Sequence, residues 1–369
     1  MSSCSRKDNT LPHLVDEANK LRRETQAADK TVPGDRSKSI SFQTALRDWI
    51  ESRVPKTKPG STAALKFEDD LTRSGLMLPK DAESTYGYVE SITAEIKPDY
   101  PEALFVTASV NVPLTTQDML LVYDYSSGSR VKVLEANGSR KYDDVLLMAQ
   151  TVREANGNHL LVTARRGTTG GSSWNMISYE LFRISPKASQ AQRIFDGEHG
   201  SWFGSDSPYK IRLDPTNLLL EFTDRSIDAA VHSRTHVLQY RISPDKVERI
   251  APIALQPQDF VEEWVSQPWA EVAPFTQAGQ RESLKKAHDL LYADFVAGDY
   301  TLVQYCQDKP DYTQVGIDFH ASPVYFLVHD RGKYNYEMAA AERERQPGCP
   351  GDGEALTRHY PSLFPADKQ

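Results

Sequence analysis

The sequence predicts a mainly β protein with flanking helices, built on repeated four-stranded antiparallel meanders that are propeller-blade-like. Two internal matches and a change of period predict it. His159-Leu-Leu-Val-Thr-Ala aligns with Asn217-Leu-Leu-Leu-Glu-Phe, and Phe182-Arg-Ile-Ser-Pro aligns with Tyr240-Arg-Ile-Ser-Pro at the same offset of 58 residues. A further copy opens at Ala103-Leu-Phe-Val-Thr-Ala, 56 residues before His159. Repeats of this length are the mark of stacked supersecondary units. The apolar pattern also changes near Tyr86, from helical spacing to alternation.

Before that change the chain reads as helices on flexible joints. Leu11, Leu14, Val15, Ala18 and Leu21 form one stripe, with Pro12 in a first turn that tolerates it. A second helix is expected over Phe42 to Val54, capped by Ser41 and stopped by Pro55. Ala64, Leu65, Phe67 and Leu71 suggest a third, closing near Gly75. We read residues 1–80 as a helical arm or cap packed on the β body.

The first meander is expected near Tyr86–Ile96, Ala103–Val112, Met119–Tyr125 and Arg130–Leu134, with Ser126-Ser-Gly-Ser129 as turn chemistry. The second reads Val145–Val152, His159–Arg165, Asn175–Ile184 and Gln192–Phe195, with Asn156-Gly157 suited to a tight hairpin. The third reads Tyr209–Leu213, Leu218–Thr223, His236–Ile242 and Val247–Ile250. In this register Leu160 and Leu218 take equivalent inward positions. These units make a β core over 84–255.

A C-terminal α+β unit follows over 256–350, ahead of a tail over 351–369. Its first helix is capped by Asp259 and stopped by Pro268, and a second runs from Gln280 to Ala297 with Gly298 as its C-terminal cap. Four strands complete it, near Thr301–Cys306, Gln314–Phe319, Val324–His329 and Tyr334–Met338. A helix on its own meander is the simplest arrangement for this stretch.

Composition bounds the function. The 369 residues are 39% hydrophobic and 25% charged, enough for a sizeable core. A net charge of −8 argues against a nucleic-acid partner, which demands a concentrated basic face. The charge is uneven: residues 1–60 carry net +4 and the remainder −12. No apolar run reaches the length of a membrane span. Met1-Ser-Ser-Cys4 resembles the start of a mature lipoprotein whose signal lies upstream, so the cell envelope is slightly preferred over the cytoplasm; a Cys in a frayed terminus is the plainer alternative.

Three sets of residues carry candidate chemistry. Asp224, Asp228, His232 and His236 recur every four residues inside the third unit, and on a helix they would offer carboxylate and imidazole ligands to one divalent metal; a solvated connector is the alternative. Trp174, Trp202, Phe203 and Tyr209 could stack on sugar rings at the rim of the β body, or simply pack. Cys306 and Cys349 flank the C-terminal meander, which can return one to the other as a disulfide. Gly167-Thr-Thr-Gly-Gly-Ser-Ser173 lacks the Lys of a phosphate loop, and Ser283-Leu-Lys-Lys286 lacks the companion motifs of penicillin-recognising enzymes.

Arg225-Ser-Ile-Asp-Ala-Ala-Val-His-Ser-Arg234, Ala251-Pro-Ile-Ala-Leu and Asp259-Phe-Val-Glu-Glu-Trp resemble a family of uncharacterised bacterial proteins over about residues 86–345. That resemblance implies a blade-like β core and brings no known function with it. The leading expectation is a non-catalytic binding or scaffold protein with an unknown protein or glycan partner and no required cofactor, because repeated sheets offer a large rigid surface and no strong catalytic motif is present. A metal-dependent hydrolase using the 224–236 connector and a carbohydrate-binding module are the alternatives.

Overall fold

A computed structural model describes residues 9–27, 36–79, 86–112, 115–137, 143–168, 174–202, 209–227, 233–293, 299–319 and 322–349. In chain order the helices α1 (Thr10–Ala27), α2 (Arg36–Arg53) and α3 (Phe67–Arg73) precede β1 (Tyr88–Lys97), β2 (Tyr100–Val112), β3 (Thr115–Asp124) and β4 (Val131–Asn137). Then come β5 (Asp143–Arg153), β6 (His159–Thr168), β7 (Trp174–Ile184) and β8 (Gln192–Trp202), and after them β9 (Lys210–Leu213), β10 (Asn217–Arg225), β11 (Ser233–Ile242) and β12 (Val247–Ile253). Helices α4 (Pro257–Ser266), α5 (Trp269–Val272) and α6 (Arg281–Ala293) lead to β13 (Asp299–Cys306), β14 (Lys309–Phe319), β15 (Ser322–Asp330) and β16 (Tyr336–Glu342). Each group of four strands is one antiparallel meander in sequence order. The chain is thus mainly β, with blade-like four-stranded sheets and a C-terminal helix-and-meander unit. It divides into two compact units, Met1–His199 and Gly200–Gln369.

In the first unit the sheet β1–β4 is covered on both faces, which explains why its strands read as unbroken apolar runs. Successive side chains point to opposite sides of a strand. Leu104, Val106, Ala108 and Leu121 therefore face α1 and α2, where Leu14, Leu21, Phe42, Trp49 and Ile50 are fully buried. Phe105, Leu120 and Val122, with Leu134 of β4, face the other way and pack with Leu161 and Phe182 of the next sheet. Ser41 lies inside α2, which begins at Arg36, so it does not cap that helix. Arg22 ties the helical cover to the sheet, donating from Nε to Gly87 O at 3.1 Å and lying 3.7 Å over the Tyr88 ring. Gly87 is obligatory there: its φ is +74°, and an added Cβ would meet Arg22 Cγ at 2.9 Å.

Leu160 and Leu218 are both fully buried and stand second in β6 and β10, the second strands of their sheets. The cross-strand register nonetheless slips by one between the two copies. Phe182 faces Leu161, whereas Tyr240 faces Leu218. Equivalent sequence within a strand has been kept while the hairpin pairing has moved.

In the second unit α4 and α6 lie on one face of β13–β16, with Phe260, Trp264, Val265 and Leu284 against Val315, Ile317, Phe326, Val328 and Met338. Helix α4 starts at Pro257 with Gln256 at the N-cap, so Asp259 sits in the first turn and not at the cap. Gly298, the expected cap of α6, lies outside the described residues. No helix among the described residues is long and apolar enough to cross a membrane.

Candidate functional site

The region flagged by the Asp224–His236 spacing is a hairpin. β10 runs to Arg225 and β11 resumes at Ser233, with Asp224 opposite Arg234 and Phe222 opposite His236. The four-residue spacing therefore does not act as a helical spacing at its two ends, because Asp224 and His236 sit on paired strands. Asp228, His232 and the side chain of Asp224 lie outside the described residues. Among the described residues no group of three or more His, Cys, Asp and Glu is arranged to hold a metal ion.

What His236 meets instead is helix α4. Its Nδ1 is 2.8 Å from Glu263 Oε1, and Glu263 also accepts from Arg234 Nη2 and Arg249 Nη2, each at 3.0 Å. Glu262, one residue earlier, accepts from Arg234 Nε, from Ser226 Oγ at 2.7 Å and from Tyr300 Oη at 2.6 Å. Both carboxylates are buried, at 3% and 2% exposure, yet each has three donors. Buried charge is tolerated when it is paired and hydrogen-bonded in this way. Burial alone would raise the Glu263 carboxyl; the His236 hydrogen bond and the charges of Arg234 and Arg249 together hold it well below the usual carboxylate range. Asp259, on the same helix, goes the other way. Burial pushes it up to about 6 against the pull of Arg234, with Glu262 and Glu263 adding repulsion. Burial and Glu262 likewise push the Tyr300 phenol up.

The sequence reading placed only His236 of this cluster in a site. Glu262 and Glu263 stand as two adjacent charges between the apolar pairs Phe260-Val261 and Trp264-Val265, a pattern that signals a buried ionic contact but does not name its partners. Tyr209 and His236, assigned on sequence grounds to different sites, both lean on Phe222, at ring separations of 6.2 and 5.4 Å. Tyr209 thus packs against the sheet, and burial pushes its phenol up. Trp174 begins β7 and Trp202 ends β8, so the meander sets both at one end of that hairpin. Their side chains and Phe203 lie outside the described residues. Cys306 and Cys349 are joined as a disulfide, with Cα atoms 4.1 Å apart.

An open cleft lies elsewhere, within the first unit. About 620 Å³ in volume, it runs along Lys132 to Asn137 of β4, the edge strand of its sheet. Its opposite wall is the β7–β8 hairpin, with Glu180 and Phe182 from β7, Ala191 from the turn and Arg193 from β8. Its lining mixes apolar residues such as Val133, Ala136 and Phe182 with charged ones. Glu135 bonds Lys132 Nζ at 2.7 Å, and Arg193 Nη1 bonds Glu180 at 3.0 Å. Burial would raise Glu135, but Lys132, Asn137 and Arg47 outweigh it and hold the carboxyl low. A concave site of mixed lining is a candidate ligand cleft, and this volume falls in the usual range of roughly 300–1,000 Å³. No protein-family model matches the chain, and no curated protein matches it, so the residues and their geometry carry the functional reading.

Proposed function

We propose that the protein is a non-catalytic binding or scaffold protein that uses its stacked, blade-like sheets as a rigid support for a recognition surface. The observation that supports this most is the contrast between its two polar clusters. The ion network of Glu262 and Glu263 is buried, with Arg234, Arg249, His236, Ser226 and Tyr300 bonded to the two carboxylates. The cleft along β4 is open, mixed in polarity and walled by strands, and sites built on strands are positioned more firmly than sites on loops.

A panel of chromogenic esters, phosphoesters and glycosides, assayed with zinc, manganese and magnesium in turn, tests the reading against a metal-dependent hydrolase. The expected result is no turnover above the blank. Metal-dependent turnover that disappears in His236→Ala would overturn the proposal and restore the connector as an active site.

A further inference from the structure

We infer that the cleft takes an extended peptide, which adds to the edge of β4 as a further strand. This rests on the binding reading above and names the ligand class. Three observations lead to it. First, the six consecutive residues from Lys132 to Asn137 line the cleft, so what faces the cavity is a strand edge and not scattered side chains. An unpaired edge presents N–H and C=O groups ready to pair with another extended chain.

Second, the chain already makes one such bond at the end of this edge. Ala191, outside that sheet, donates its N–H to Val133 O at 2.6 Å. Backbone directions alternate along an antiparallel strand, which turns the N–H and C=O of Glu135, two residues on, to the same side. The edge from Leu134 to Asn137 offers roughly 13 Å at about 3.3 Å per residue, room for about four residues of peptide continuing the line begun by Ala191.

Third, the lining matches the side chains of an added strand. Phe182 on the facing wall and Leu134 of β4 itself give apolar contact, and Arg193, about half exposed and bonded to Glu180 at 3.0 Å, gives a polar rim. Phe182 is the one aromatic among the described lining residues, which suits an aliphatic peptide side chain better than a sugar ring needing a broad stacking platform.

Short linear peptides selected from a display library on the full-length chain test this. Selected peptides are expected to lose about tenfold or more in affinity on N-methylation at alternate residues, which removes strand bonds, and to lose as much against Ala191→Trp, which fills the cleft. Arg193→Glu, on the exposed rim, serves as a second variant should Ala191→Trp fail to fold. Peptides that bind Ala191→Trp and Arg193→Glu undiminished, or tolerate every N-methyl group, would overturn strand addition at β4 while leaving a binding protein with its site elsewhere. Failure to select any peptide overturns the inference outright; the binding reading itself stands or falls on the hydrolase panel.

Discussion

His236 Nδ1 lies 2.8 Å from Glu263 Oε1, and that contact joins strand β11 to helix α4 inside the second unit. Glu263 contacts two guanidinium groups, Arg234 and Arg249, as well as His236, and is itself buried. Removing it leaves Arg234 and Arg249 buried without that partner. Breaking a buried pair from one side costs about 3–5 kcal/mol. Glu263→Ala is expected to lower stability by that amount, read from the denaturant midpoint. A milder loss is expected for Glu263→Gln, which keeps hydrogen-bonding atoms. Because the folded carboxyl sits below its ordinary 4.5, the stability it contributes is present above that value and is lost as the pH falls through the folded one. The wild type should therefore destabilise in acid more steeply than Glu263→Gln.

Asp259 carries the opposite sign. Its folded value is raised from 3.8 to about 6, so between those limits the folded chain holds a proton that the unfolded chain has released. Stability then falls as pH rises through this window and levels off above it. A shift of about two pH units corresponds to up to about 3 kcal/mol. Asp259→Asn, uncharged throughout, is expected to be more stable than the wild type near about pH 7.5 and to differ little near about pH 4. A loss of stability at the higher pH would show instead that the ionised Asp259 supports Arg234.

Much of the fold was legible because local signals and global packing agree. The repeat offset put strands where the backbone puts them, with β6 opening at His159 and β7 closing at Ile184 as expected from the turn residues that flank them. Strand ends are less legible: β8 was expected to stop at Phe195 and continues to Trp202, since hairpin pairing extends a strand beyond its apolar residues. Register is less legible still. Nothing in the composition of the strands distinguishes Leu161 facing Phe182 from Leu218 facing Tyr240. The candidate site suffered most. His236 was noticed for its spacing to other potential ligands, but its observed partner lies 27 residues on, in a helix whose buried face happens to carry two carboxylates. The cleft left no signal at all, because an edge strand and a facing hairpin are made adjacent by sheet stacking and not by sequence distance.

Gly197 shows a constraint that only the packed structure reveals. A Cβ added there would lie 2.2 Å from Tyr179 Oη and 2.3 Å from Cζ, because the buried Tyr179 ring, stacked near His199, crosses directly over it. Gly197→Ala must displace the ring or bend β8. Overpacking of this kind costs about 1–3 kcal/mol. In a Tyr179→Ala background the same change should cost much less, and the double-mutant cycle measures the coupling. Equal costs in both backgrounds would mean that the penalty arises from the backbone and not from the ring.

The Cys306–Cys349 bridge joins the end of β13 to the segment beyond β16, at a sequence separation of 43. Both cysteines are buried with Leu327 and Ala339 on the sheet face away from α4 and α6. The bridge does not hold that segment by itself: Gln307 donates its N–H to Gly348 O at 3.0 Å, and Gln346 donates its own to Gln314 Oε1 at 2.7 Å. Closing a loop of this length removes chain entropy from the unfolded state equivalent to about 4 kcal/mol. Cys349→Ser is therefore expected to unfold at a lower midpoint than the oxidised wild type and at about the same midpoint as the reduced wild type. The bridge also bears on location, since such bonds persist in oxidising compartments and are rare in reducing ones. Protein made in an oxidising compartment should give a single species 2 Da lighter than its reduced form in non-reducing mass spectrometry, about the mass of two hydrogens lost on oxidation. Two free thiols at 306 and 349 in that sample would remove both the bridge and the preference for the cell envelope.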